Sequence, residues 1–205
     1  MAADGAAGPR LLLVEGADDE HVIGHLCEQT QAAANFDIAQ MGGVSQMREE
    51  IEAHAKVPGR TALGIVIDAN SDPQARWQSI RDAVERVGAP LPTTPEPGGT
   101  VVTPSADGVP MVGVWLMPDN QGPGELEDFL AELIPPSDEV WELARQYIEQ
   151  VPGDQLSKRT KARIHAWLAV RTAGGRLGTS ISAGVFDVQR PAARSFVRWL
   201  HRVFP

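Results

Sequence analysis

The sequence predicts an α/β protein: a mainly parallel sheet flanked by helices and extended by helices at its C-terminus. Three observations carry that expectation. Short apolar runs (LLLV, ALGIVI, VGVWLMP) alternate with segments of helical periodicity, as in a sheet covered on both faces. Each of these runs leads into an acid, Glu15, Asp68 and Asp119. The last third of the chain shows helical spacing only.

The first unit reads as a strand over Leu11–Val14 and a helix from about Asp18 to Gln31. FDIAQMGG (Phe36 to Gly43) is a second short strand ending in glycines. Val44 to Lys56 repeats apolar residues at Met47, Ile51 and Ala55, a helical spacing. Ala62 to Asn70 is a strongly apolar strand, and ARWQSIRDAVERVG is the helix behind it. Residues 88–99 hold too much proline and glycine for a regular element. Residues 100–108 form a small hairpin or an irregular loop, and Val112 to Asn120 is another buried strand.

QGPG then leads into LEDFLAELI, a short helix stopped by Pro135-Pro136. Asp138 to Val151 is amphipathic, with Val140, Leu143, Ala144, Tyr147 and Val151 as its apolar stripe. A further helix runs from about Ser157 to Arg171 on Ile164, Trp167 and Leu168. GGRLGTSISAG reads as a glycine-rich connection that lacks the spacing of a phosphate-binding loop. The final helix, Pro191 to Val203, opens on a proline suited to a first turn. The domain expectation is a flexible segment at 1–9, a core at 10–135 with an insertion around 88–110, and a basic helical extension at 136–205 packed on that core.

The apolar runs are far shorter than the roughly 20 residues that span a bilayer, and none of signal-peptide length adjoins the N-terminus. Cys27 is the single cysteine, which excludes an internal disulfide and a cysteine-based zinc or iron–sulfur site. A cytoplasmic protein without membrane contact is the expectation. The net charge of -9 opposes nonspecific binding to nucleic acid, but the charge is unevenly spread. Residues 1–154 carry 26 acids and eight Lys/Arg, whereas residues 155–205 carry one acid and ten Lys/Arg. The basic end is open to two uses: neutralising the acidic body of its own or a neighbouring subunit in a homo-oligomer, or meeting a polyanion such as DNA.

Ligands of open parallel sheets bind outside the carboxyl ends of the strands, where Glu15, Asp68 and Asp119 fall. Asp19 follows Glu15 by four residues and can approach it across one helical turn. Crowded carboxylates raise one another's pKa unless a cation intervenes, and Mg²⁺ prefers such oxygen ligands. A helix cap is the competing role for each acid taken alone, above all for Asp18, Glu20 and Asp72.

In combination these motifs are recognisable. LLLVEGADD resembles the glutamate block of a Toprim domain, the metal-binding module of topoisomerases, primases and OLD-family nucleases, and GIVIDAN resembles that module's acidic pair. The ordered set VEGADDEHVI, GIVIDAN, VGVWLMPDN with GELEDFL, KARIHAWLA and FVRWLHRVF resembles a small Toprim-related prokaryotic family of the DUF3226 type. The resemblance implies a Toprim-like core with Mg²⁺ (or Mn²⁺) as cofactor. Glu15 then stands for the Toprim glutamate, a metal ligand or proton-transfer group, and Asp19 for the acid four places on. Asp68 is the first aspartate of the pair. Asn70 replaces the second, and can offer a carbonyl oxygen but no charge. Asp119 is a further candidate ligand, and Glu127 matches the acid used for a second metal. Lys158 or Lys161 would supply positive charge beside a scissile phosphate, as a lysine beyond the core does in the related nucleases.

Arg190, Arg194, Arg198 and Arg202 recur every four residues in the last helix, a row that drifts slowly round its surface. The function implied is metal-dependent phosphodiester hydrolysis on nucleic acid, most simply by a DNA endonuclease or nicking nuclease. The alternative is a catalytically degenerate Toprim module serving assembly or regulation beside a separate ATPase partner. A receiver-like signalling domain also groups acids after its first and third strands, but the long insertion and C-terminal helices fit it poorly.

Overall fold

Five strands run β2-β1-β3-β5-β4 across one sheet: β1 (Arg10–Val14), β2 (Asp37–Gln40), β3 (Ala62–Asp68), β4 (Thr100–Val102) and β5 (Met111–Met117). All neighbours are parallel except β4, which pairs antiparallel with β5. The computed structural model describes residues 8–32, 35–104, 106–156, 158–171 and 176–205. Most of the flexible segment expected at 1–9, and the expected helix start at Ser157, lie outside the described residues.

Alternate residues of β1 feed opposite faces of the sheet, so an uninterrupted apolar run is what a doubly covered strand requires. Leu11 and Leu13 join Met47, Ile51, Trp77 and Ile80 of α2 (Val44–Ala55) and α3 (Pro73–Glu85). Leu12 and Val14 join α1 (Ala17–Thr30), α4 (Leu126–Glu132) and the C-terminal helices on the other face. The mixed α/β architecture, the mainly parallel sheet and the helical C-terminus agree with the expectation. Among the described residues no helix is long and apolar enough to cross a membrane.

The last helix, α8 (Pro191–Val203), lies directly on the sheet and brings Phe196, Trp199 and Val203 into the core. Glycines make room for it. Gly64 of β3 and Gly113 of β5 are register partners. A Cβ on Gly113 would stand 2.2 Å from Val203 Cγ2, and one on Gly64 would stand 2.9 Å from the Phe204 ring. Gly113→Ala should therefore cost about 1–3 kcal/mol by overpacking, read as a lower urea midpoint at unchanged slope.

Four local expectations change. Residues 100–108 contribute a three-residue edge strand, β4, held by Trp199 Nε1 donating to the Thr100 carbonyl at 3.1 Å. Leu143 and Tyr147 of α5 (Glu139–Gln150) are both 63% exposed, so they are not in the buried stripe. The helix instead packs through Trp141, Ala144 and Ile148, with Trp141 edge-on to Trp167 of α6 (Arg159–Leu168). Within GGRLGTSISAG, residues Leu177–Ser182 form a helix, α7. Its Gly178 serves close packing, since a Cβ there would meet His21 and His25 of α1 at under 3 Å. Finally, β5 ends at Met117, so Asp119 belongs to the turn beyond the strand.

Candidate metal centre

Three chain segments converge at the carboxyl edge of the sheet: the β1–α1 junction, the end of β3, and the start of α4. Glu15 follows β1, and its Oε1 accepts a hydrogen bond from the Asp68 backbone N–H at 2.9 Å. Asp68 closes β3, and its Oδ1 accepts from the Leu126 N–H at 3.0 Å, at the first residue of α4. The Glu15 carboxylate is thus tied to the backbone at the end of β3, and the Asp68 carboxylate to the helix that follows β5.

The two helix starts use the same device. Asp19 Oδ2 accepts from the Gly16 N–H at 3.0 Å, and Asp128 Oδ2 accepts from the Glu125 N–H at 2.9 Å. In each case an acid three residues into the helix satisfies a backbone donor left unpaired at its end. Asp19 is therefore a cap, and it is also buried and lines the cleft.

One open cleft is lined by Glu15, Asp18, Asp19, Asp68, Glu125 and Glu127 together with Lys158 and Lys161. Glu127 is buried and pairs with Lys161 at 2.8 Å, while Lys161 also approaches Asp18 at 3.9 Å. Glu125 is paired with Lys158. Burial pushes the Asp68 carboxyl up to about 8, reinforced by the charges of Asp19, Glu15 and Glu125. Burial likewise raises Asp19 to about 6, offset in part by its bond to Gly16. The glutamate partners hold both lysine ammonium groups above their ordinary pKa.

Of the expected residues, the structure brings Glu15, Asp19, Asp68, Glu127, Lys158 and Lys161 together. Asp119 is not among them. It is exposed, and its Oδ1 accepts from the N–H groups of Gln121 and Gly122 at 2.9 and 2.8 Å, closing a turn. Asp68 is the register partner of Met117, so a residue two places farther along has already passed the sheet edge. Asn70 also stands outside the cleft, in a recess beside Pro123 and Thr160. Glu125 joins the residues of the cleft, although sequence reading placed only Glu127 of the GELED acid run among the candidate ligands, because a helix start accounts for an acid there without a second role.

The donor set is hard oxygen, which suits Mg²⁺ or Mn²⁺ rather than a soft metal. The two ammonium groups sit as cationic stand-ins against Glu125 and Glu127. Among the described residues no three His, Cys, Asp or Glu side chains are close enough to hold an ion as they stand. Loading the cleft would require the lysines to yield.

The basic end largely serves its own fold. Arg163 pairs with Glu149, and Arg171 reaches Asp138 at 2.6 Å, both on the acidic α5 segment. Arg190 donates to the Glu132 carbonyl, and Arg202 to the carbonyls of Gly98 and Gly99. Cys27 is buried in α1, with its thiol pushed up to about 11 by burial.

Residues 9–205 match a family described as "Protein of unknown function (DUF3226)". Among solved structures, the C-terminal region of the OLD protein of Xanthomonas campestris pv. campestris aligns over 95% of each chain, with 14% identity and a TM-score of 0.45. No curated protein matches the sequence at a significant level. With nearly its whole length covered by the family model, the chain belongs to the DUF3226 family.

Proposed function

We propose that this protein is a Toprim-type, Mg²⁺- or Mn²⁺-dependent phosphodiesterase acting on nucleic acid, most simply a DNA endonuclease or nicking nuclease. The observation that carries the reading is the meeting of Glu15, Asp19, Asp68, Glu125 and Glu127 with Lys158 and Lys161 in one cleft at the sheet's carboxyl edge. Bound among these carboxylates, a divalent cation would lower the pKa of an attacking water and polarise a phosphoryl oxygen. Glu15, Asp19 and Asp68 would hold it, with Glu127 available toward a second ion. Lys161 is half exposed and can release Glu127 to face the charge that develops on a transferred phosphate. The Asp68 carboxyl, raised by its neighbours, can hold a proton at neutral pH and give it up when a cation arrives.

The test is incubation with supercoiled, linear and single-stranded DNA, with Mg²⁺, Mn²⁺ or EDTA. Cleavage that requires the metal is the expected result. A second reading is a degenerate Toprim module that assembles beside a partner ATPase. The neutral Asn70 and the two lysine–glutamate pairs favour it. Absence of cleavage with every metal and substrate would transfer the assignment to that reading.

A further inference from the structure

We infer that Glu125, and not residue 70, is the acid that joins Glu15, Asp19 and Asp68 in the metal-holding set, with the Lys158 ammonium as the counter-cation it keeps until a metal ion replaces it. The inference rests on the metal-binding reading above and names a residue that the family motif does not. Asn70 lies just past β3 in the left-handed region, with φ of 53°, a conformation asparagine tolerates better than most residues. Its backbone forms a closed bridge with Gly124: Asn70 N–H donates to the Gly124 carbonyl at 2.7 Å, and Gly124 N–H returns a bond at 2.8 Å. The bridge sets the residue after Gly124 beside the end of β3. That residue is Glu125.

The two side chains meet at one point. Lys158 Nζ touches Asn70 Oδ1 at 3.5 Å and also pairs with Glu125 Oε2. Only one of them reaches the cleft, however. Glu125 lines the neighbouring recess together with Asn70 and also the carboxylate cleft with Asp68, whereas Asn70 lines only the recess. The Glu125 side chain is 11% exposed and that of Lys158 49% exposed. A carboxylate so far withdrawn from water needs a cation against it. Lysine's ammonium is a compact charge on a flexible stem, so it can swing into solvent when another cation competes. The charge missing at residue 70 is thereby restored from a different strand-to-helix junction.

Titration calorimetry with Mn²⁺ alone tests this on the full chain, with melting curves to verify folding. Glu125→Gln should weaken binding by about 10–100-fold, the cost typical of groups that support a metal site. Asn70→Gly keeps the left-handed backbone and removes the amide, and should leave affinity near the wild-type value. Lys158→Met should tighten Mn²⁺ binding by freeing Glu125, and this gain should vanish in the Glu125→Gln background. Wild-type affinity in Glu125→Gln, or a gain from Lys158→Met without Glu125, overturns the inference and leaves the metal-binding reading intact. Lack of Mn²⁺ binding by the wild type and by Lys158→Met overturns both.

Discussion

Asp68→Ala should abolish metal-dependent DNA cleavage, with a loss of at least about 10²–10³-fold in initial rate, the scale of removing one preorganised charge-stabilising group. The side chain does two things that alanine ends: it offers a carboxylate to the cleft, and it accepts the Leu126 N–H that starts α4. Asp68→Asn separates them, because an amide oxygen can still accept that hydrogen bond while the charge is gone. Equal losses in the two variants assign the effect to the missing charge. Lys161→Ala should lose less, since it removes a group that faces developing charge rather than one that holds the metal. Cleavage unaffected by Asp68→Ala would show that another site, or another protein in the preparation, does the cutting.

Metal affinity should rise about tenfold per pH unit between pH 6 and 8, a change of about a hundredfold, because loading must expel the proton from Asp68. The folded carboxyl sits at about 8 and that of Asp19 at about 6, both above the ordinary 3.8. Raised acids bind protons that the unfolded chain has released. Their contribution to stability is therefore fully present below about pH 4 and is lost as pH climbs through 6 and then 8. The metal-free protein should melt at a lower temperature at pH 8 than at pH 5.5, and Mn²⁺ should restore most at pH 8. Calorimetry in buffers of different ionisation enthalpy counts the proton directly. Asp68→Asn should flatten the melting slope. Mn²⁺ affinity constant from pH 6 to 8 would show that Asp68 is already ionised in the metal-free fold.

The charge asymmetry noted in the sequence has its counterpart in the fold, though only part of it bears on the cleft. Arg163 and Arg171 offset acids of the α5 segment, and Arg190 and Arg202 donate to backbone carbonyls, so these four are engaged within the chain. Lys158 and Lys161 differ. Each pairs with an acid at the start of α4, in the cleft proposed to take a divalent cation.

By itself the sequence determined the sheet, the helices behind it and three of the carboxylates that line the cleft. Those signals are local: an apolar run long enough to be buried on both faces, and an acid placed where the run ends, as at Glu15 and Asp68. Asp19 followed by helical spacing alone, although its bond to the Gly16 N–H is a second role that spacing does not reveal. Tertiary structure alone decided the rest. Register set Asp68 opposite Met117 and so left Asp119 in a turn. The bridge between Asn70 and Gly124, far apart in the chain, carried Glu125 into the cleft and left Asn70 outside it. Packing also turned Leu143 and Tyr147 outward, because α6 met the Trp141, Ala144 and Ile148 face of α5. Periodicity places residues on one face of an element, but which face is covered depends on the surface that arrives from elsewhere.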